Sequence, residues 1–196
     1  MTEDRYIRIL SIEEMRKVYN EHMTKDFPDN ERKPFSMIEK GMKKGTYECP
    51  GFFEGDELKG YSVFVKSERA YLFDYLAVID GSRNSGIGAD FLKKLFKHFE
   101  GENRVIGEVE DYELESDAEK RALQKRRYDF YIRNGYVDTG VKVKLFSVDY
   151  RILEMDKGKR YSWEEISKLY KGIYKSFLPW FLYIRFVKIK KTGSES

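Results

Sequence analysis

Residues 71–101 place the tightest constraint on the fold: an apolar run, a glycine-bearing turn and an amphipathic helix follow one another without a gap. Tyr71-Leu-Phe-Asp-Tyr-Leu-Ala-Val-Ile79 is a bounded aromatic and β-branched run, the composition of a strand buried on both faces. Asp80-Gly-Ser-Arg-Asn-Ser-Gly-Ile-Gly88 turns the chain. From Ile87 onward Phe91, Leu92, Leu95, Phe96 and Phe99 recur at helical spacing, and Gly101 stands where a C-terminal cap is expected. A turn that delivers the chain into a helix leaves several backbone N–H groups without intrahelical partners, aimed at one spot with the positive end of the helix dipole behind them. That spot suits a diphosphate, because Gly86 and Gly88 carry no Cβ to hold a ligand off and Arg83 supplies a cation.

Competing phosphate motifs fail on particular residues. Gly81 and Gly86 are spaced as in a P-loop, but Ile87 and Gly88 stand where Lys and Ser or Thr are needed, which argues against ATP or GTP chemistry. Gly86-Ile-Gly-Ala-Asp-Phe91 has Phe at the third glycine position of a dinucleotide fingerprint, and no βαβ rhythm with a ribose-binding acid follows. What remains is Arg83-Asn-Ser-Gly-Ile-Gly88, directly after Leu76-Ala-Val78. It resembles the acetyl-CoA-binding motif of the GNAT superfamily of N-acetyltransferases. Phe130-Tyr131-Ile-Arg-Asn-Gly135-Tyr136 resembles that superfamily's later helix-end motif, and two motifs in order are far more specific than one. Asn84 stands where the family often has glycine, and Asn tolerates the αL geometry such a turn asks for.

The resemblance covers roughly residues 1–155, expected as a GNAT acetyltransferase domain, and leaves 156–196 as a C-terminal helical extension with a frayed end. It implies an α+β (α/β three-layer) architecture, the GNAT acyl-CoA N-acyltransferase fold, with a central mixed, mostly antiparallel sheet flanked by helices. It also implies transfer of the acetyl group of acetyl-CoA to a primary amine of a small molecule or protein, by direct attack in a ternary complex and without a metal. The alternative is a CoA-binding module of the same fold with little catalysis, engaging a protein partner through its extension.

By resemblance, the amides of Arg83, Asn84, Ser85, Gly86, Ile87 and Gly88 take the diphosphate, and Leu76, Ala77 and Val78 pair with the pantetheine arm like an added strand. Tyr131 matches the position that protonates the departing sulfur, and a phenol stays protonated at neutral pH. An amine must lose a proton before attack; Glu110 and Glu108 are the first candidates for the base and Asp74 the third, with a water chain as the alternative. Phe27, Asp29 and Glu31 fall in the segment that lines the acceptor pocket in the family, although solvated loop acids look the same.

The rest of the chain reads on its own terms. At 196 residues there is room for one full core with an appendage. Lys and Arg number 37 against 34 Asp and Glu, an excess of +3 that is too small for a nucleic-acid footprint over the whole surface. A single Cys49 rules out an internal disulfide framework, and no charged leader with an apolar core opens the sequence, so a reducing cytoplasm is the expected compartment. Cys49 reads as a buried thiol rather than a nucleophile. Ser11-Ile-Glu-Glu14 and Ser162-Trp-Glu-Glu165 are capping boxes, and Glu54-Gly55-Asp56 joins two strands. In Arg104–Glu110, alternation sets Glu108 and Glu110 on one face, where they either border a wet cleft or pair with the arginines that follow. Beyond residue 155, Ile166, Leu169, Tyr170, Ile173, Tyr174 and Phe177 form one helical stripe that must be covered. Its own domain or a second subunit in a homodimer is favoured over a membrane surface, although 180–191 mixes aromatics with Lys and Arg.

Overall fold

The computed structural model describes residues 5–29, 31–68, 70–82, 86–101 and 104–190. Arg83, Asn84 and Ser85, expected at the coenzyme turn, and the polar end 191–196 lie outside the described residues. The chain divides into two compact units, Met1–Lys66 with Phe73–Glu102, and Ser67–Leu72 with Asn103–Ser196.

The first unit opens with β1 (Arg5–Ile9) and the expected capping box, in which Ser11 Oγ accepts from Glu14 N–H and the Glu14 carboxylate accepts from Ser11 N–H. The box starts α1 (Ile12–Val18), which buries Met15 and Val18. The winding then widens into a π turn at Tyr19–Met23 and closes with the short α2 (Thr24–Asp26). After α3 (Phe35–Lys43), Gly45 turns the chain at a φ of 68° into β2 (Tyr47–Glu48), β3 (Pro50–Glu54) and β4 (Glu57–Lys66). β1 pairs antiparallel with β3, and β3 and β2 each pair antiparallel with β4.

The strand β5 (Ala70–Val78) lies mostly in this unit, and Ile79 N–H donates to Lys59 O at 2.9 Å beside β4. It leads to α4 (Ile87–His98), whose Ile87, Phe91, Leu92 and Leu95 are buried as the spacing predicts. Phe91 stacks on Phe52 at 5.1 Å, and Phe64 meets Phe73 and Phe99 at 4.8 and 4.5 Å. Gly60 makes room for this packing: a Cβ there would stand 2.9 Å from Ala77 O and 3.2 Å from the Phe91 ring. The expected cap at Gly101 is not where α4 ends. The helix closes on Phe99, whose N–H donates to Leu95 O, and Gly101 does not adopt positive φ.

In the second unit β6 (Arg104–Glu110) is followed by α5 (Ala118–Arg133), capped by the Asp117 carboxylate accepting from Lys120 N–H at 2.8 Å. Gly135, at a φ of 90°, releases the chain into β7 (Tyr136–Leu145), and β8 (Val148–Met155) returns antiparallel along it. Phe146 and Ser147 make that turn with φ of 45° and 76°, uncommon for residues other than glycine. The second capping box holds as expected and starts α6 (Trp163–Phe177), whose Ile166, Tyr170, Ile173 and Tyr174 are buried. Then come α7 (Trp180–Phe186) and β9 (Val187–Lys190), a strand with no counterpart in the sequence reading. It pairs antiparallel with β7, giving the order β6-β8-β7-β9 with every pairing antiparallel. Cys49 is buried, and burial pushes its thiol up to about 12, so it stays protonated at neutral pH.

Candidate active site

The turn before α4 has the conformation its glycines allow. Gly86 is the N-cap at φ 81° and ψ −8°, in the left-handed region, and no side chain caps the helix. Its carbonyl accepts from Ala89 and Asp90 N–H at 3.1 Å, so α-helical winding begins at once. A Cβ at Gly86 would meet nothing within 4 Å, and the same holds at Gly81, where φ is 87°. Among the described residues, therefore, no side chain caps this helix start. Asp90 is an acid in that first turn and would repel an anion, but Arg5 bonds to it and to Glu54, the latter at 2.6 Å.

Upstream, Ala77 is buried and Leu76 and Val78 are half-buried. The Ile79 N–H, one residue past the strand, is taken by Lys59 O on β4. Asp74 pairs with Lys33 at 2.5 Å. Burial alone would lower the Lys33 pKa, but the neighbouring Asp74 charge more than reverses this, and the ammonium is held well above its ordinary value.

The segment after α2 folds back on the same strand. Tyr75 Oη donates to Glu31 O at 2.8 Å and accepts from Lys33 N–H at 3.1 Å, and its ring meets Phe27 edge-on at 4.9 Å. Of the three residues proposed for the acceptor, Phe27 and the Glu31 backbone therefore gather at Tyr75 beside Asp74. Asp29 does not join them: it is exposed and pairs with Arg32. Arg32 in turn donates to Phe27 O at 2.8 Å. Neither Tyr75 nor Lys33 stands out in the sequence. Lys33 carried no pattern, and Tyr75 read only as part of an apolar strand.

In the second unit Glu110 pairs with Arg127, one of the two alternatives the alternation of β6 had left open. Tyr131 is half-buried at the end of α5, with the Phe130 and Tyr136 rings each 5.5 Å away. Burial pushes its hydroxyl up to about 12, Arg127 opposing and Glu110 adding to the shift. Glu108 follows neither alternative. It accepts hydrogen bonds from Tyr170 at 2.5 Å and from Tyr174 at 2.7 Å, both on α6. Burial, followed by the Glu108 charge, holds the Tyr170 hydroxyl well above its usual pKa, so it remains a donor. Charge-assisted bonds of this kind contribute about 1.5–3 kcal/mol each. The three acids considered as bases are thus each already engaged: Asp74 by a lysine, Glu110 by an arginine and Glu108 by two phenols.

No family model and no curated protein matches the sequence. Solved structures do match. One described as a GNAT-family acetyltransferase from Bacteroides thetaiotaomicron aligns at a TM-score of 0.66 with 17% identity, over 87% of this chain and 94% of its own. Mutant forms of the spermidine/spermine N-acetyltransferase SpeG from Vibrio cholerae align at 0.58 with 12% identity, over 84% of this chain and 99% of theirs. A Bacillus subtilis acetyltransferase in complex with CoA aligns at 0.51 with 15% identity, over 78% of this chain and 99% of its own. At these identities the likeness is one of fold, and the fold is that of the GNAT acetyltransferases.

Proposed function

We propose that this chain, built on the fold of the GNAT acetyltransferases, moves the acetyl group of acetyl-CoA to a primary amine by direct attack in a ternary complex. The observation that carries the reading is Gly86: a left-handed N-cap that no described side chain caps, at the start of a helix of a fold that the CoA-bound relative shares. In this reading the amides of 83–88 hold the diphosphate, and main-chain groups of Leu76, Ala77 and Val78 run beside the pantetheine arm. The Val78 N–H donates to the thioester carbonyl as it becomes an oxyanion.

The neutral amine nitrogen attacks the thioester carbon, the C–S bond breaks, and the thiolate leaves. Tyr131 serves that thiolate. A hydroxyl at about 12 is a weaker acid than a thiol of reference pKa about 8.5, so it acts chiefly by donating a hydrogen bond to the developing charge. Tyr131→Phe should therefore lower kcat roughly tenfold, short of the larger factors of a full proton transfer, and leave acetyl-CoA affinity within about twofold. Equal kcat in a folded variant would remove Tyr131 from the mechanism.

With Asp74, Glu108 and Glu110 all partnered, removal of the amine proton through water is better supported than a single dedicated carboxylate. The same observation favours the second reading, a CoA-binding module with little turnover. Release of CoA over a panel of polyamines, aminoglycosides and peptide N-termini separates the two, since binding without release on any acceptor supports the module. The segment 24–34 holds Lys25, Arg32 and Lys33 against Asp26, Asp29 and Glu31. A loop so balanced gives no preference for a polycation by charge alone, so a monoamine or a peptide amine fits as well.

A further inference from the structure

The C-terminal segment separates into a covered part and an uncovered one. On α6, at about 100° per residue, Ile166, Tyr170, Ile173 and Tyr174 share the buried face, while Lys168, Lys171 and Lys175 fall within about 60° of one another on the opposite side, all exposed. The expectation that the α6 stripe packs on protein is met. The next helix behaves differently. Trp180 is 75%, Phe181 56% and Ile184 64% exposed. At i, i+1 and i+4 they occupy one side of α7 and project into solvent. Elsewhere α7 is anchored: Phe186 stacks on Phe146 at 4.6 Å and its carbonyl accepts from Phe146 N–H, while Lys175 Nζ lies 5.3 Å from the Tyr183 ring centre.

Charge identifies what could cover this side. Between Glu165 and Glu195 there is no acidic residue, whereas 166–190 contains Lys168, Lys171, Lys175, Arg185, Lys188 and Lys190. Lys190 is drawn to Asp149 at 2.8 Å, and the other five are exposed. A second copy of the same surface would oppose cation to cation. A sheet of anionic headgroups over an acyl phase satisfies both features, taking the lysines at its surface and the indole, phenyl and sec-butyl groups beneath. No helix among the described residues is long and apolar enough to cross a membrane.

We propose that α7 is a docking element for an anionic lipid surface, with Trp180, Phe181 and Ile184 entering the interface and the lysines of α6 with Arg185 and Lys188 held at the headgroups.

The full-length chain should sediment with phosphatidylcholine vesicles that contain phosphatidylserine and much less with phosphatidylcholine alone. Trp180→Ser with Phe181→Ser and Ile184→Ser should weaken that binding about tenfold or more. Lys168→Glu with Lys171→Glu and Lys175→Glu should remove the anionic preference by a similar factor. Trp163→Phe leaves Trp180 as the sole indole and α7 untouched, and its emission should shift to the blue on anionic vesicles. An unshifted emission, or equal binding to both vesicle types, overturns the proposal. So does a concentration-dependent dimer abolished by the α7 substitutions, or capture of an oligonucleotide in the absence of vesicle binding.

Discussion

Gly86→Glu should weaken acetyl-CoA binding about a hundredfold or more, equivalent to about 2.7 kcal/mol, measured by calorimetric titration of the folded variant. Two effects add. At φ 81° any L side chain is strained by roughly 1–2 kcal/mol, which falls on folding stability. The carboxylate then stands on ground that a Cβ reaches without touching another atom, at the positive end of α4, where a diphosphate would have to be. Gly86→Ala separates the terms, because it keeps the strain and omits the charge. It should lower the melting temperature while costing far less affinity. If Gly86→Glu folds and binds acetyl-CoA as the parent does, the helix start is not the coenzyme site.

The largest stability effect is expected at Arg151. Its guanidinium, with the side chain 11% exposed, bonds to Asp111 at 2.7 Å, to Asp138 at 3.1 Å and to Glu113, and lies over the Tyr112 ring at 5.1 Å. Asp111 is 1% exposed and takes a second cation, Lys142, at 3.0 Å. Arg151→Met should cost about 3–5 kcal/mol in urea unfolding, because it takes from the buried Asp111 the more buried of its two cations rather than because the ion pairs are strong in themselves. Adding Asp111→Asn should recover part of the loss, and a double variant as unstable as the sum of the singles would refute that account. Burial alone would raise the Asp111 pKa, but hydrogen bonds from Lys142 and Arg151 outweigh it and hold the carboxylate below its ordinary value. Its contribution is then complete above the unfolded-state pKa and is lost as pH falls below the usual carboxylate range. Acid unfolding of the Asp111→Asn variant should be correspondingly less steep.

Local signals carried well into the structure wherever short-range chemistry decides. Both capping boxes, the turns at Gly55 and Gly135, and the inward stripe of α6 follow from neighbouring residues alone. The features that escaped depend on groups far apart in sequence. Glu108 could be placed on a face of β6, but its partners Tyr170 and Tyr174 stand more than sixty residues on. Their helical spacing points to core packing, which their rings do and their hydroxyls do not. Asp74 reads in the sequence as a third candidate base, and its partner Lys33 comes from a loop that propensity describes only as polar. Gly101 failed as a cap because Phe99 is drawn into the Phe64 and Phe73 cluster and ends α4 first. The β9 strand was illegible because four residues alternating in burial say nothing without the edge they meet.

That edge has a consequence for anyone shortening the molecule. From Leu145↔Val187 to Lys142↔Lys190, the last described residues are stitched along β7 on the flank that β8 does not occupy. Cutting after Phe186 would bare a ribbon of main-chain donors and acceptors on which further molecules can add strand by strand. Trimmed versions should clump, visible as growing light scattering, under conditions where the intact protein stays monodisperse.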